Sequence, residues 1–238
     1  MMSNSKISQD ALFELLQPLY DDLWQDVKEF NKGDNLVQFR TRIGENFPSE
    51  KNTGIIFYGR ATNGWYDEEK EQPDKRKTLF QHLYEYKSTF FSFIRKIAKS
   101  IYGEDCASQI AWSNVCKIAP SDGGNPSDAL WEAQYKSMAK IIKTEIDYLS
   151  PSLVILITGN TAGPRWHDPM CSENAFPWGK EIDHIVWGKD RKTNKECTCT
   201  LYKSGDTYFA LTDRPEFRSS IDHVNGIIDL IKKYKIIV

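Results

Sequence analysis

The chain has 238 residues, 40% of them hydrophobic and 27% charged, which is the composition of a folded protein and argues against extensive disorder. A formal net charge of −2 predicts no strong overall attraction to nucleic acid, although it leaves room for a local basic patch. The sequence has no apolar run of about 18 residues. It also starts without the apolar core of a signal peptide, so we expect a cytoplasmic protein with no membrane partner.

The first fifty residues predict a helical extension in front of the main fold. Apolar residues recur at helical spacing from Leu12 to Val27, and Pro18 interrupts them, which predicts either one kinked helix or two short ones. No strand pattern precedes Pro48. We therefore expect residues 1–50 to cover a sheet as helix rather than to form part of it.

Four short apolar segments predict the strands of one sheet. They span residues 54–58, 110–115, 153–157 and 208–211. Apolar residues at helical spacing fill 78–102, 127–150 and 219–234, and strands that alternate with helices are typical of a parallel sheet. We predict an α/β fold with three layers (α/β/α), in which a central four-stranded parallel sheet lies between two layers of helices.

The remaining strand-like segments predict a small β-hairpin. They cover residues 182–187 and 198–202 and flank the polar turn KDRKTNKE. Because nothing in the pattern indicates an internal repeat or a long linker, we treat the hairpin as an addition to a single domain that spans residues 1–238.

The segment from Ile110 to Ile157 predicts a binding site. A strand, a loop, a helix and a parallel strand form a βαβ unit, and in such sheets ligands bind beyond the carboxyl ends of the strands. Asn114 and the loop 119–126 lie at that end. The Asn114 amide has a donor and an acceptor side by side, so it could pair with the edge of a uracil-like base. Alternatively, it could end the strand by bonding its own turn.

The order of these motifs resembles that of the uracil-DNA glycosylase superfamily, most specifically its iron–sulfur branch. There, a strand ending in Asn and Lys precedes a Pro-containing loop, a helix with a Glu-Ile pair, a Pro and an apolar strand followed by Gly and Ala. The corresponding residues here are Asn114, Lys117, Pro120, Pro126, Glu145, Ile146, Pro151, Gly159 and Ala162. The resemblance spans about residues 54–235. It implies the fold of that family and an activity in DNA repair, the excision of a base.

Two flanking motifs depart from the family pattern. GIIFYGRATNGW stands where the family has a strand and Gly-Glu-Ala-Pro-Gly, so Arg60 replaces the water-activating Glu. Arg60 cannot act as a general base because a guanidinium stays protonated. FALTDRPEFR stands where the family has a strand and His-Pro-Ser, so Arg214 replaces the His that stabilises the leaving base. A guanidinium can supply the same positive donor.

The cysteines do not match the family's cluster ligands. The sequence has five, an odd number in a reducing compartment, and free thiols are the expected state. Cys116 stands alone on a strand, and no cysteine lies near Gly59. We therefore expect no iron–sulfur cluster, no metal site and no other cofactor.

The resemblance gives a set of candidate site residues. The catalytic candidates are Arg214, which would support the leaving base, and Asn63 and Asp67, which could hold a water in place of the missing carboxylate. The substrate-binding candidates are Gly59, Arg60, Asn114, Lys117, Pro120 and Trp65. Trp65 could stack on a base. Core packing is the alternative role for Trp65, and a solvated loop is the alternative for Asn63 and Asp67.

Two classes of function stay open. In the first, the protein is a glycosylase that hydrolyses an N-glycosidic bond in DNA with a non-standard active site. In the second, it is a catalytically inactive module of the same fold that binds a nucleobase, a nucleotide or DNA. In both we expect a monomer. We also expect Arg60 and Arg214 to repel each other unless an anion or a carboxylate lies between them.

Overall fold

Five α-helices and nine β-strands make up the described part of the chain. The computed structural model describes residues 7–32, 35–62, 78–159, 179–216 and 218–236. The helices are α1 (Gln9–Val27), α2 (Leu79–Glu85), α3 (Thr89–Tyr102), α4 (Asp128–Leu149) and α5 (Ser220–Lys233). The strands are β1 (Leu36–Gln38), β2 (Arg42–Ile43), β3 (Ile55–Gly59), β4 (Ile110–Asn114), β5 (Ile118–Pro120), β6 (Leu153–Leu156), β7 (Lys180–Lys189), β8 (Glu196–Ser204) and β9 (Thr207–Thr212).

The main sheet contains all four strands that the apolar segments predicted. Its order is β2-β4-β3-β6-β9-β8-β7. Strand β3 lies between β4 and β6 and is parallel to both, and β9 is parallel to β6. The carboxyl ends of four adjacent strands therefore meet at one edge of the sheet, where ligands bind in α/β proteins.

The sheet has seven strands rather than the four expected. The hairpin β7–β8 is confirmed, but it joins the sheet because β8 pairs antiparallel with β9. A two-residue turn at Gly205 and Asp206 connects β8 to β9, and Gly205 has a positive φ of 57°. Two consecutive strands joined by such a short turn pair with each other as a β-hairpin.

The expectation that residues 1–50 contain no strand was wrong. Strand β2 pairs antiparallel with β4 at the edge of the main sheet, and β1 pairs antiparallel with β5 in a separate two-stranded sheet. Strands of two and three residues are too short to show the alternation of apolar and polar residues that marks a strand. Whether they form depends on the strands with which they pair and not on the local sequence pattern. The predicted helix does form: α1 runs unbroken through Pro18 after its cap at Ser8.

The helical stretch expected over 78–102 is divided in two. Thr78 caps α2, and α3 begins after Ser88, whose side chain accepts a hydrogen bond from the backbone N–H of Phe91. Tyr86 lies between the two helices in an extended conformation. Because Ser88 caps a second helix, α3 begins near the carboxyl ends of the parallel strands.

Helices cover both faces of the sheet. Ile56 and Tyr58 of β3 share a core with α1 and α4, whereas Ile55 and Phe57 face a second core with α2, α3 and α5. This alternation follows from the period of two along a strand. No helix in the described part of the chain is long and apolar enough to cross a membrane.

Candidate functional site

A cavity of about 460 Å³ opens at the carboxyl ends of the four parallel strands. Each strand end contributes to its wall: Gly59 and Arg60 from β3, Asn114 from β4, Ile157 from β6 and Arg214 from β9. The start of α3 and the loop before α4 complete the lining that the structure describes. Its volume lies in the range of small-molecule sites, roughly 300–1,000 Å³.

Asn114 and Gly59 form the floor of this cavity. They are register partners at the last pair of β3 and β4. A Cβ on Gly59 would clash with Asn114 Oδ1 and would lie 3.0 Å from the ring of Phe90, so a larger residue would displace these side chains. Asn114 is 3% exposed. The amide lies in the wall of the cavity, where a ligand can reach it.

Aromatic side chains form one wall. Tyr86, Phe90, Phe91 and Trp112 all line the cavity. The rings of Phe91 and Trp112 meet edge to face with centroids 4.9 Å apart, and Phe90 packs against Phe91 at 5.4 Å. Such a surface suits stacking with a flat ring, which contributes about 1–3 kcal/mol per base. Phe90 and Phe91 lie in the predicted helical stretch 78–102 and were not among the predicted site residues.

Arg60 crosses from the end of β3 to the end of β6. Its Nε donates a hydrogen bond to the carbonyl oxygen of Thr158 at 2.6 Å. Burial, reinforced by the positive charge of Arg214, lowers the pKa of Arg60 from 12.5 to about 10. The guanidinium therefore stays protonated at neutral pH and supplies positive charge, not a base.

Arg214 is paired with a carboxylate that the sequence analysis missed. Its Nε and its terminal nitrogen donate to the two carboxylate oxygens of Glu216 at 3.1 and 2.7 Å. Glu216 also lines the cavity. Its negative charge raises the pKa of Arg60, against the effect of Arg214. The carboxylate that two neighbouring arginines were expected to need is therefore Glu216.

A third arginine fixes the backbone that carries this pair. Arg218 donates to the carbonyl oxygens of Arg214 and, at 3.2 Å, of Glu216. Its other terminal nitrogen lies 3.0 Å from Asp190 Oδ2, and both side chains are largely buried. Its Nε also donates to Cys197 Sγ at 3.1 Å. The segment after β9 is thus anchored to the hairpin β7–β8.

Lys117, in contrast to expectation, lies away from the cavity. Its Nζ contacts the two carboxylate oxygens of Glu145 at 2.7 and 2.8 Å, and both side chains are fully buried. Tyr58 donates to the same carboxylate at 2.8 Å, and Ser113 and Thr41 also hydrogen-bond to it. Burial lowers the pKa of Lys117, and Glu145 opposes that shift. The pair holds α4 against β3 and β4.

The predicted site residues divide into three groups. Gly59, Arg60, Asn114 and Arg214 line one cavity. Lys117 and Pro120 do not line it, since Lys117 is in the buried ion pair and Pro120 pairs with Leu36 of β1. Asn63, Trp65 and Asp67 lie outside the described residues, as does Ala162.

The described residues contain no group of three or more His, Cys, Asp or Glu side chains placed to hold a metal ion. The four cysteines in the described ranges, Cys106, Cys116, Cys197 and Cys199, are free and buried. Burial raises the pKa of the Cys199 thiol to about 12, which keeps it protonated and unreactive. Comparison of the chain with models of known protein families, and with curated proteins, finds no match.

Proposed function

We propose that this is a uracil-DNA glycosylase-like protein that binds a nucleobase, carried by DNA or by a nucleotide, in the cavity at the carboxyl ends of its parallel strands. The observation that carries the proposal is that Asn114, an aromatic wall and two arginines meet there. A nucleobase with its phosphate is bound by three kinds of group: an amide that hydrogen-bonds to the edge of the base, a surface on which the base stacks, and a cation that binds the phosphate.

Recognition of the base rests on Asn114. Its amide offers one donor and one acceptor in a fixed plane, which matches the alternating donor and acceptor of a uracil edge. Phe90 and Phe91 offer rings beside it. Asn114 is 3% exposed, and buried donors and acceptors are stabilised by hydrogen-bond partners, so the site favours a ligand that pairs with both groups of the amide.

Recognition of the phosphate rests on Arg60 and Arg214. With Glu216 counted, these three cavity residues contribute a net single positive charge. The whole protein has a net charge of −2 and does not attract anions in general. The local positive charge can attract an anionic ligand to this cavity. Guanidinium groups bind phosphate oxygens in a bidentate manner.

Calorimetric titration tests the proposal. We expect saturable binding of deoxyuridine monophosphate and of a uracil-containing single-stranded oligonucleotide. Asn114→Ala should weaken it about tenfold to a hundredfold, because the edge loses two hydrogen bonds. Asn225→Ala is the matched control, since Asn225 is an exposed asparagine on α5 that does not line the cavity. Binding that Asn114→Ala leaves unchanged would remove the base from this cavity.

A second candidate function is hydrolysis of the N-glycosidic bond of the bound base. The specific observation that favours it is the carboxylate of Glu216 in the same cavity. Hydrolytic glycosylases need such a group near the sugar, and Arg60 cannot provide it.

A further inference from the structure

Glu216 is the one carboxylate among the described residues that line the cavity. It comes from the segment after β9, and Arg60 follows β3, two strands away in the parallel block. The family motif that the chain resembles puts the carboxylate after the first strand and the cation after the last. In this cavity a cation follows the first strand, and the last strand is followed by both a cation and a carboxylate.

The position of Glu216 is fixed by its neighbours. Both carboxylate oxygens accept hydrogen bonds from Arg214, at 2.7 and 3.1 Å. The carbonyl oxygens of Arg214 and Glu216 both accept from Arg218, which is held by Asp190. The Glu216 side chain is still 28% exposed, so water reaches it. Activation of a water molecule requires a carboxylate that is held in one orientation and is accessible to solvent.

We propose that Glu216 is a catalytic residue that activates water for hydrolysis of the N-glycosidic bond, an inference that rests on the proposed binding of a nucleobase. The water oxygen forms a bond to the anomeric carbon of the sugar, and the bond from that carbon to the base nitrogen breaks. The electron pair leaves with the base, and Glu216 takes the proton from the water. That proton then passes to the departing base, so the products are an abasic sugar and a neutral free base.

Arg214 contributes both to the activation of water and to the departure of the base. It orients Glu216, and its positive charge also stabilises negative charge that develops on the leaving base. Arg60, whose Nε donates to the carbonyl oxygen of Thr158, adds a second cation to the same cavity. The carboxylate in turn offsets the positive charge that develops on the sugar.

The test compares base release with base binding in the same variants. Oligonucleotides that carry uracil, hypoxanthine or xanthine are incubated with the protein, and abasic sites are scored by alkaline cleavage. We expect release of at least one of these bases by the wild-type protein. Glu216→Gln should slow release by about 10²–10⁴-fold, the usual contribution of a general base. Its affinity for the oligonucleotide should stay the same or increase, because Arg214 loses its neutralising partner.

Two further variants separate catalysis from folding. Glu216→Asp keeps a carboxylate and should retain part of the activity. Glu196→Gln removes an exposed carboxylate at the start of β8 and should release base at the wild-type rate. Equal rates for the wild type and Glu216→Gln would overturn the role of Glu216. So would the absence of release from an oligonucleotide that the protein binds through Asn114. Absence of binding would overturn the proposed function itself.

Discussion

The side chain of Asn114 occupies the space that a Cβ on Gly59 would need. The two residues are register partners at the ends of β3 and β4, and the side-chain oxygen of Asn114 lies over Gly59. The missing side chain at Gly59 is thus what allows the amide to form the floor of the cavity.

Gly59→Ala should therefore impair binding more than folding. The added methyl group displaces Asn114 Oδ1 and presses on Phe90, and overpacking of this kind costs about 1–3 kcal/mol of stability. We expect a folded protein that no longer binds deoxyuridine monophosphate, measured by urea unfolding and calorimetry. Gly188→Ala is the control, because its Cβ would meet no atom of the described residues within 4 Å. Unimpaired binding by Gly59→Ala would show that the amide does not read the ligand.

Arg60→Ala with Arg214→Ala should weaken the binding of single-stranded DNA. The change removes both cavity cations and leaves the carboxylate of Glu216 uncompensated. The slope of log affinity against log salt should become shallower by about 0.7 for each phosphate that the protein no longer neutralises. Fluorescence titration at several salt concentrations measures this slope. Lys140→Ala with Lys143→Ala removes the same charge from the exposed face of α4 and should leave the slope nearly unchanged.

Lys117→Met should destabilise the protein by about 3–5 kcal/mol, because it leaves Glu145 as a buried carboxylate without its cation. Adding Glu145→Gln should restore most of that stability, since glutamine is neutral, its carbonyl oxygen can still accept from Tyr58, and its NH2 group can donate to the Thr41 hydroxyl. Denaturant unfolding of the single and double variants gives the coupling. A double variant less stable than Lys117→Met would contradict this account of the pair.

Acid should destabilise the protein partly through His223. Burial lowers the pKa of His223 from 6.5 to about 3, and its ring stacks on Trp187 at 3.8 Å. The folded state keeps His223 neutral while the unfolded chain binds a proton, so the free energy of unfolding falls as the pH drops from 6.5 towards 3. The slope from this group is at most about 1.4 kcal/mol per pH unit. His223→Phe should flatten the dependence of the unfolding free energy on pH between 6.5 and 3. An unchanged slope would show that another group causes the loss of stability in acid.

Local patterns predicted the parallel block of the sheet because each of its strands contains a short run of apolar residues. The helical stretch predicted over 127–150 forms as α4, with Ser127 as its N-cap and Ser150 at its end in a left-handed conformation. The strand order was what the family resemblance implied, and since parallel strands share a carboxyl edge, that order brings Asn114, Arg60 and Arg214 to one cavity.

Tertiary relationships could not be read from local patterns. Lys117 is three residues beyond Asn114, but the chain turns there and the side chain enters the core on the α4 side. Glu216 was overlooked because a carboxylate two residues from an arginine is a common surface arrangement. Only the position of the segment after β9 brings Glu216 into the cavity. The signal available in the sequence was the spacing of Arg214 and Glu216 around Pro215.

The crystal structure of the protein with a uracil-containing single-stranded oligonucleotide tests the central claim most directly. We predict that the uracil ring lies in the cavity against the Phe90 and Phe91 side, with its edge within hydrogen-bond distance of the Asn114 amide and a phosphate at Arg60 or Arg214. A base bound outside the cavity, or a cavity that stays empty of the base at saturating oligonucleotide, would contradict the account.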